Sequence, residues 1–174
     1  MSKRLTLIIF IVFTTTLFCT AHVREFKLPY KINPTKNCLN VDSVSAGSIL
    51  QFAQSLIGTV YRSRSSDPLK GFDCSGFVSY VFKKFNFNVP RSSCDFINVG
   101  KKVKLEDAQP GDIILFTGTK KHTRRIGHIG IIYCNENGEF KFIHSTSGKE
   151  HGVTITAMDK SYKSRFVQVI RLLI

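Results

Sequence analysis

A chain of 174 residues, 43% of them hydrophobic, can bury one sizeable core but not two, which excludes a disordered polymer and a two-domain architecture. Its formal net charge of +13 suits anionic surfaces, yet the cations are scattered and accompany no nucleic-acid-binding motif, so no nucleic acid is expected as a partner. Five cysteines without C-x-x-C spacing exclude a disulfide scaffold and a cysteine-rich metal site.

Lys3 and Arg4 precede an uncharged run from Leu5 to Phe18, and Cys19-Thr20-Ala21 sets small residues at −3 and −1 before His22. This pattern predicts a signal peptide over residues 1–21, since a bilayer span needs about 20 apolar residues. Lipid attachment at Cys19 is the alternative, disfavoured by the bulky Phe18 before it. Removal takes away Lys3 and Arg4 and no acid, leaving +11 and a chain suited to an anionic cell-envelope surface. The expected location is the periplasm, the cell envelope or the exterior. Cys38, Cys74, Cys94 and Cys134 remain, and an oxidising compartment permits one disulfide among them.

Residues 22–44 contain Pro29, Pro34 and no sustained period, and read as a linker before a domain at 45–174. From Ser45, a suitable N-cap, the residues Ile49, Phe52, Ala53, Leu56 and Ile57 predict an amphipathic helix ending at Gly58. A polar loop follows, with Tyr61 as its one aromatic residue. Cys74, Phe77, Val78, Val81, Phe82 and Phe85 then recur at helical spacing, with Asp73 placed to cap the N-terminus and Lys83 and Lys84 near the C-terminus. A cysteine in a first helical turn sits where unpaired N–H groups favour thiolate over thiol. A short third helix is expected from Ser93 to about Val99.

Beyond Gln109-Pro110-Gly111-Asp112 the period changes. Residues 112–117, 128–134, 139–145, 152–158 and 166–173 are short strand-like runs, with a hairpin turn at Asn135-Glu136-Asn137-Gly138. Helices first and strands second predict an α+β fold with helices packed on an antiparallel sheet. If the second and third runs pair so that residue numbers sum to 272–274, His128 and His144 face each other. One imidazole could then serve as a base for Cys74 while the other orients it. A metal site is the rival for two close histidines, but His151 and Asp112 are the nearest further ligands, neither at a matching position, so no metal or other cofactor is expected. His122 lies in a basic loop, residues 119–125, that reads as solvated or as attractive to an anionic polymer.

Asp73-Cys74-Ser75-Gly76, Pro90-Arg91-Ser92-Ser93, Gln109-Pro110-Gly111-Asp112, Gly127-His128-Ile129-Gly130-Ile131 and Phe142-Ile143-His144, in this order, resemble the NlpC-type family of bacterial cell-wall cysteine peptidases over about residues 46–158. The resemblance implies a papain-like fold, N-terminal helices on a five- to six-stranded antiparallel sheet. It implies Cys74 as nucleophile, His128 as general base and acid, and His144 as the residue that orients His128. Tyr61 would help line the cleft, and Asp73, Ser75 and Arg91, in the same motifs, are expected to bind substrate. The implied reaction is hydrolysis of peptidoglycan stem peptides at the γ-D-glutamyl–diaminopimelate (or lysine) bond by a monomeric enzyme. Where family members often carry Tyr-x-x-Gly-Gly, this chain reads Tyr61-Arg62-Ser63-Arg64-Ser65, which reshapes the cleft. Two other functions compete: a thiol amidase or acyltransferase on another amide or ester, and a non-catalytic wall-binding protein.

Overall fold

A computed structural model of the chain describes residues 44–119, 125–136 and 138–173; the expected signal peptide, residues 22–43 of the linker, Cys19, Cys38 and His122 lie outside the described residues. Ser45 starts the first helix as its sequence predicts, in extended conformation, with its hydroxyl accepting from the Ser48 N–H at 3.1 Å. Helix α1 (Ala46–Ser55) buries Ile49, Leu50 and Ala53, and the chain leaves it through Gly58 at φ +87°. A two-residue strand pair, β1 (Ser66–Asp67) and β2 (Gly71–Phe72), then delivers the chain to helix α2 (Cys74–Lys84). The third predicted helix is a single 3₁₀ turn, Asp95–Asn98.

Six strands follow: β3 (Lys101–Val103), β4 (Ile113–Thr117), β5 (Ile126–Glu136), β6 (Glu139–Thr146), β7 (Gly152–Ala157) and β8 (Phe166–Arg171), with a short helix α3 (Lys160–Arg165) between the last two. They form one antiparallel sheet in the order β3-β8-β4-β5-β6-β7. The α+β expectation holds, and the five predicted strand runs match β4 to β8 to within two residues. The strand pair β1–β2, strand β3 and helix α3 were not anticipated, because two to six residues carry too little periodicity to read.

Alternation along the strands splits the core in two. Ile113, Leu115, Ile129, Ile131 and Ile143 pack beneath α1 and α2 with the wholly buried Phe77, Val78, Val81 and Phe82. Ile114, Phe116, Ile132, Phe142 and Val169 face the other way, toward Tyr162 of α3 and Met158. The sheet is therefore apolar on both faces, as its nearly unbroken apolar β4 requires.

The turn entering β4 is held by charge. Asp112, 3% exposed, accepts from Arg171 Nε at 2.8 Å and from its Nη2 at 2.7 Å, and from the Gln109 N–H at 2.8 Å. The pair ties β8 to the start of β4. Removing the carboxylate leaves the Gln109 N–H without its acceptor and Arg171 with only the Asp107 carbonyl, 3.0 Å from its Nη2. Asp112→Ala is expected to cost about 3 kcal/mol, the scale for breaking a buried pair, as read by urea denaturation; a loss below about 1 kcal/mol would show that the pair is not a structural tie.

Candidate active site

Cys74 is the first residue of α2, and its surroundings are built by its neighbours. Asp73 takes an extended conformation and its Oδ1 accepts from the Gly76 N–H at 2.6 Å, forming the predicted N-cap. The Asp73 N–H donates to the Ser65 carbonyl at 2.9 Å, and a Cβ on Gly76 would collide with that same carbonyl. Glycine at 76 is thus the condition for the loop to lie against the helix terminus. Arg91 grips Asp73 with two bonds, Nη1 to Oδ1 at 3.0 Å and Nη2 to Oδ2 at 2.7 Å, and a third reaches Ser75 Oγ at 3.1 Å. Such a forked pair fixes geometry as well as charge. Asp73, Ser75 and Arg91 are thus engaged with one another at the helix terminus, while Tyr61, Cys74 and His128 border the cavity.

Tyr61 is fastened by its backbone. Its N–H donates to the His151 carbonyl at 2.9 Å, and the next N–H, of Arg62, donates to Phe72. Its side chain borders the same cavity as Cys74, and burial followed by the charges of Cys74 and Asp73 raises its phenol above the usual tyrosine value.

The histidines come from the opposite sheet face to the one α2 covers. His128 pairs with Phe116 of β4, and its ring stands 6.0 Å from that phenyl ring. His144 is fully buried, 4.7 Å between ring centroids from Phe142. They do not face each other directly, as the sequence had suggested. The β5–β6 ladder sums to 275 at Glu136–Glu139, shifts at a bulge between Ile132 and Cys134, and sums to 274 at Ile131–Ile143. One further step sets His144 opposite Gly130, so His128 is its diagonal neighbour on the same face. Gly130 leaves the gap across which they meet, since a Cβ there would lie 2.8 Å from Phe142 and 3.3 Å from the Cβ of His144. His128 Nε2 and His144 Nδ1 are 2.7 Å apart, and His144 Nε2 is 2.8 Å from Thr156 Oγ1. Thr156 was not foreseen; it reaches His144 because β7 carries it diagonally past Thr154, the residue paired with His144.

Cys74 reaches this group at the open end of the sheet. Its Sγ lies 3.9 Å from the carbonyl of Gly127, the residue before His128. Gly127 and Gly118 approach so closely that a Cβ on the former would stand 2.8 Å from the Cα of the latter. The cavity there, about 350 Å³, is lined by Tyr61, Cys74, His128, Thr146, Tyr162 and Arg165 among others.

Burial decides the protonation states. It is the chief cause that lowers His128 to about 4, with the charge of Arg165 adding to it. Burial, then His128 and Arg165, likewise holds His144 well below the ordinary histidine value. Cys74 is pushed up to about 11 by burial and the Asp73 charge, against the pull of the Ser75 and Cys74 N–H groups and of Arg91. The expected preference for a thiolate is therefore overturned in the resting site: the helix-terminal N–H groups act in the anticipated direction, but desolvation outweighs them. The resting pair is neutral thiol and neutral imidazole. In the tautomer in which His128 Nε2 donates to His144, the His128 Nδ1 is free to accept a proton. Among the described residues no cluster of three or more His, Cys, Asp or Glu could hold a metal ion.

The family model for the NlpC/P60 family matches residues 58–171, well over half of the chain. A gamma-DL-glutamyl hydrolase of Bacillus subtilis is 35% identical over 120 residues, covering 67% of this chain and 27% of that protein. A probable endopeptidase of Haemophilus influenzae is 42% identical over 107 residues, covering 59% and 60%. The murein DD-endopeptidase MepS/murein LD-carboxypeptidase of Escherichia coli is 36% identical over 118 residues, covering 67% and 57%. The chain thus spans from about a quarter to three fifths of the length of these curated relatives. Among solved structures, an NlpC/P60 family protein from Bacillus cereus superposes with a TM-score of 0.67 at 24% identity, over 76% of this chain and 41% of that one. The NlpC/p60 domain of the peptidoglycan hydrolase SagA gives 0.59 at 24%, over 74% and 100%. At such identity the likeness establishes the fold.

Two measurements follow from the ionisation pattern. Cys94 is held below the usual cysteine value by hydrogen bonds from Ser92, 3.0 Å away, and Arg125. Iodoacetamide at neutral pH is expected to alkylate Cys94 before Cys74, read by peptide mass mapping; faster labelling of Cys74 would contradict its desolvated thiol. Both histidines have folded values below the unfolded 6.5, so their contribution to stability is full above pH 6.5 and is lost as pH falls from there through about 4. His144→Asn is expected to flatten the pH dependence of the denaturation midpoint in that window, and an unchanged slope would contradict a buried neutral pair.

Proposed function

The chain belongs to the NlpC/P60 family, and from that premise we propose that it is an exported cysteine peptidase that hydrolyses peptidoglycan stem peptides at the γ-D-glutamyl–diaminopimelate (or lysine) bond. The observation that carries the reading is the open cleft where Cys74, on one side of the sheet, meets the hydrogen-bonded His128–His144 pair from the other. The names of its relatives, a gamma-DL-glutamyl hydrolase among them, support the γ-glutamyl bond. Residues 45–174 form the catalytic domain and residues 1–21 the signal peptide in this reading. The excess of cations on the chain favours an anionic envelope, and one copy suffices for the site. Among the described residues no helix is long and apolar enough to cross a membrane.

In the mechanism, Cys74 Sγ adds to the γ-carbonyl carbon as its proton passes to His128 Nδ1. The oxyanion is received by the N–H groups of Cys74 and Ser75, which at the first positions of α2 have no intrahelical acceptor. The C–N bond then breaks, the electron pair leaves with nitrogen, and His128 returns the proton to the departing amine. Water adds to the thioester with His128 again taking a proton, and breakdown frees the glutamyl carboxylate and the thiol. In this mechanism the His128 Nε2–H donates a hydrogen bond to His144 Nδ1 and the His144 Nε2–H donates one to Thr156 Oγ1, an arrangement compatible with the 2.7 and 2.8 Å separations.

Digestion of purified muropeptides, read by mass spectrometry, tests the reading. The protein is expected to cleave between D-glutamate and the third residue, and Cys74→Ala to lose at least about a thousandfold in rate. Cleavage elsewhere in the stem would move the bond, and cleavage that survives in Cys74→Ala would remove the nucleophile.

A further inference from the structure

Helix α3 brings to the cleft a cation that the mechanism does not use. Asp159 caps it, accepting from the Tyr162 N–H at 2.9 Å. Tyr162 packs into the aromatic group under the histidines, with ring centroids 5.1 Å from Phe116, 4.8 Å from Phe142 and 6.1 Å from His128. The Arg165 guanidinium lies 4.6 Å over the Tyr162 ring, and its Nη1 donates to the Thr117 carbonyl at 3.3 Å. Stacking on one face and a carbonyl at one corner thus set the fork in place while most of its five N–H donors remain. Ser161, Tyr162 and Arg165 all line the cavity that holds Cys74 and His128.

The other two arginines of comparable setting are spent within the protein, Arg91 on Asp73 and Arg171 on Asp112. Arg165 forms no ion pair with a carboxylate among the described residues. Its position also has a direction. In the proposed mechanism His128 hands its proton to the leaving amine, and Arg165, stacked on the Tyr162 ring that lies 6.1 Å from His128, stands on the His128 side of the cavity. A planar cation held in a partly desolvated cleft matches a carboxylate by two parallel hydrogen bonds.

We propose that Arg165 anchors a free carboxylate on the leaving-group residue, so that the cleft prefers diaminopimelate with its side-chain carboxylate intact over the amidated form or lysine. This rests on the peptidase reading of the same site. The carboxylate displaces water from the guanidinium without disturbing the Tyr162 stack.

Binding to the Cys74→Ala protein separates this proposal from the question of turnover. Calorimetry would compare a stem tetrapeptide carrying diaminopimelate, the same peptide amidated at the free diaminopimelate carboxyl, and the lysine analogue. The free-carboxylate peptide is expected to bind about tenfold tighter, the scale of one charge-assisted contact, and adding Arg165→Gln should bring the three affinities together. Raising salt should narrow the difference in the parent protein, a readout that holds should the arginine variant fail to fold. Equal affinity for the three peptides, no binding of any, or a preference that survives both Arg165→Gln and high salt would overturn the proposal. Turnover by the unmodified protein is scored separately: absence of cleavage with the binding preference intact would reject the peptidase reading and leave the carboxylate site.

Discussion

Because side chains alternate across a strand, the one-residue shift of register between Ile132 and Cys134 decides which face of β5 looks toward His144. Had the ladder kept the register it has at Glu136–Glu139, Ile131 would stand opposite His144, and His128 would share a face with the wrong set of neighbours. The bulge moves Gly130 into that place and with it His128 onto the face of His144, Phe142 and Phe116. The glycine then supplies the room for two rings to approach diagonally. Everything chemical about the site presupposes this offset, including the reach of His144 to Thr156 on the next strand.

Once the rings meet in a desolvated place, they cannot both be charged, and the direction of their shared proton becomes the issue. Two neutral tautomer chains are compatible with the distances. In one, the hydroxyl of Thr156 donates to His144, which donates to His128, and the nitrogen facing the cleft carries a hydrogen. In the other, His128 donates to His144, which donates to Thr156, and that nitrogen is free to accept. Only the second makes a base. A hydroxyl serves both roles, whereas a backbone carbonyl in its place would lock the productive direction. For His128 to serve as a base the second chain is required, with the Thr156 hydroxyl hydrogen turned away from His144.

The cysteine helix was the most legible part of the sequence, because an eleven-residue apolar period, a capping aspartate and terminal lysines all agree. The two histidines were legible as a pair by parity alone; their register was not, since a bulge leaves no mark in composition. Cys74 was found by position, but its ionisation was misjudged. A helix terminus is a local feature visible in sequence, whereas desolvation is the sum of what distant parts of the chain place around the thiol. Arg165 and Thr156 went unseen for related reasons. Lys160–Arg165 has no apolar face of its own and is helical through its cap and the packing of Tyr162, and Thr156 gains its meaning only from a diagonal partner on the adjacent strand.

The two walls of the cleft handle charge in contrasting ways. On the α2 wall, Arg91 and Asp73 neutralise one another, and their pairing serves to seat the helix terminus whose N–H groups face the cysteine. A free cation there would draw the thiol toward thiolate and bind anions at the point where the oxyanion must form. On the β wall, the partners of Arg165 among the described residues are an aromatic ring and a carbonyl, neither of which cancels its charge. Its field instead keeps both imidazoles neutral, adding to burial in the same direction. A carboxylate arriving beside Arg165 would weaken that field and make His128 more willing to take the thiol proton. Under the proposed carboxylate site, substrate charge and base strength would be coupled through one guanidinium, and the cleft would be most basic with the anion in place.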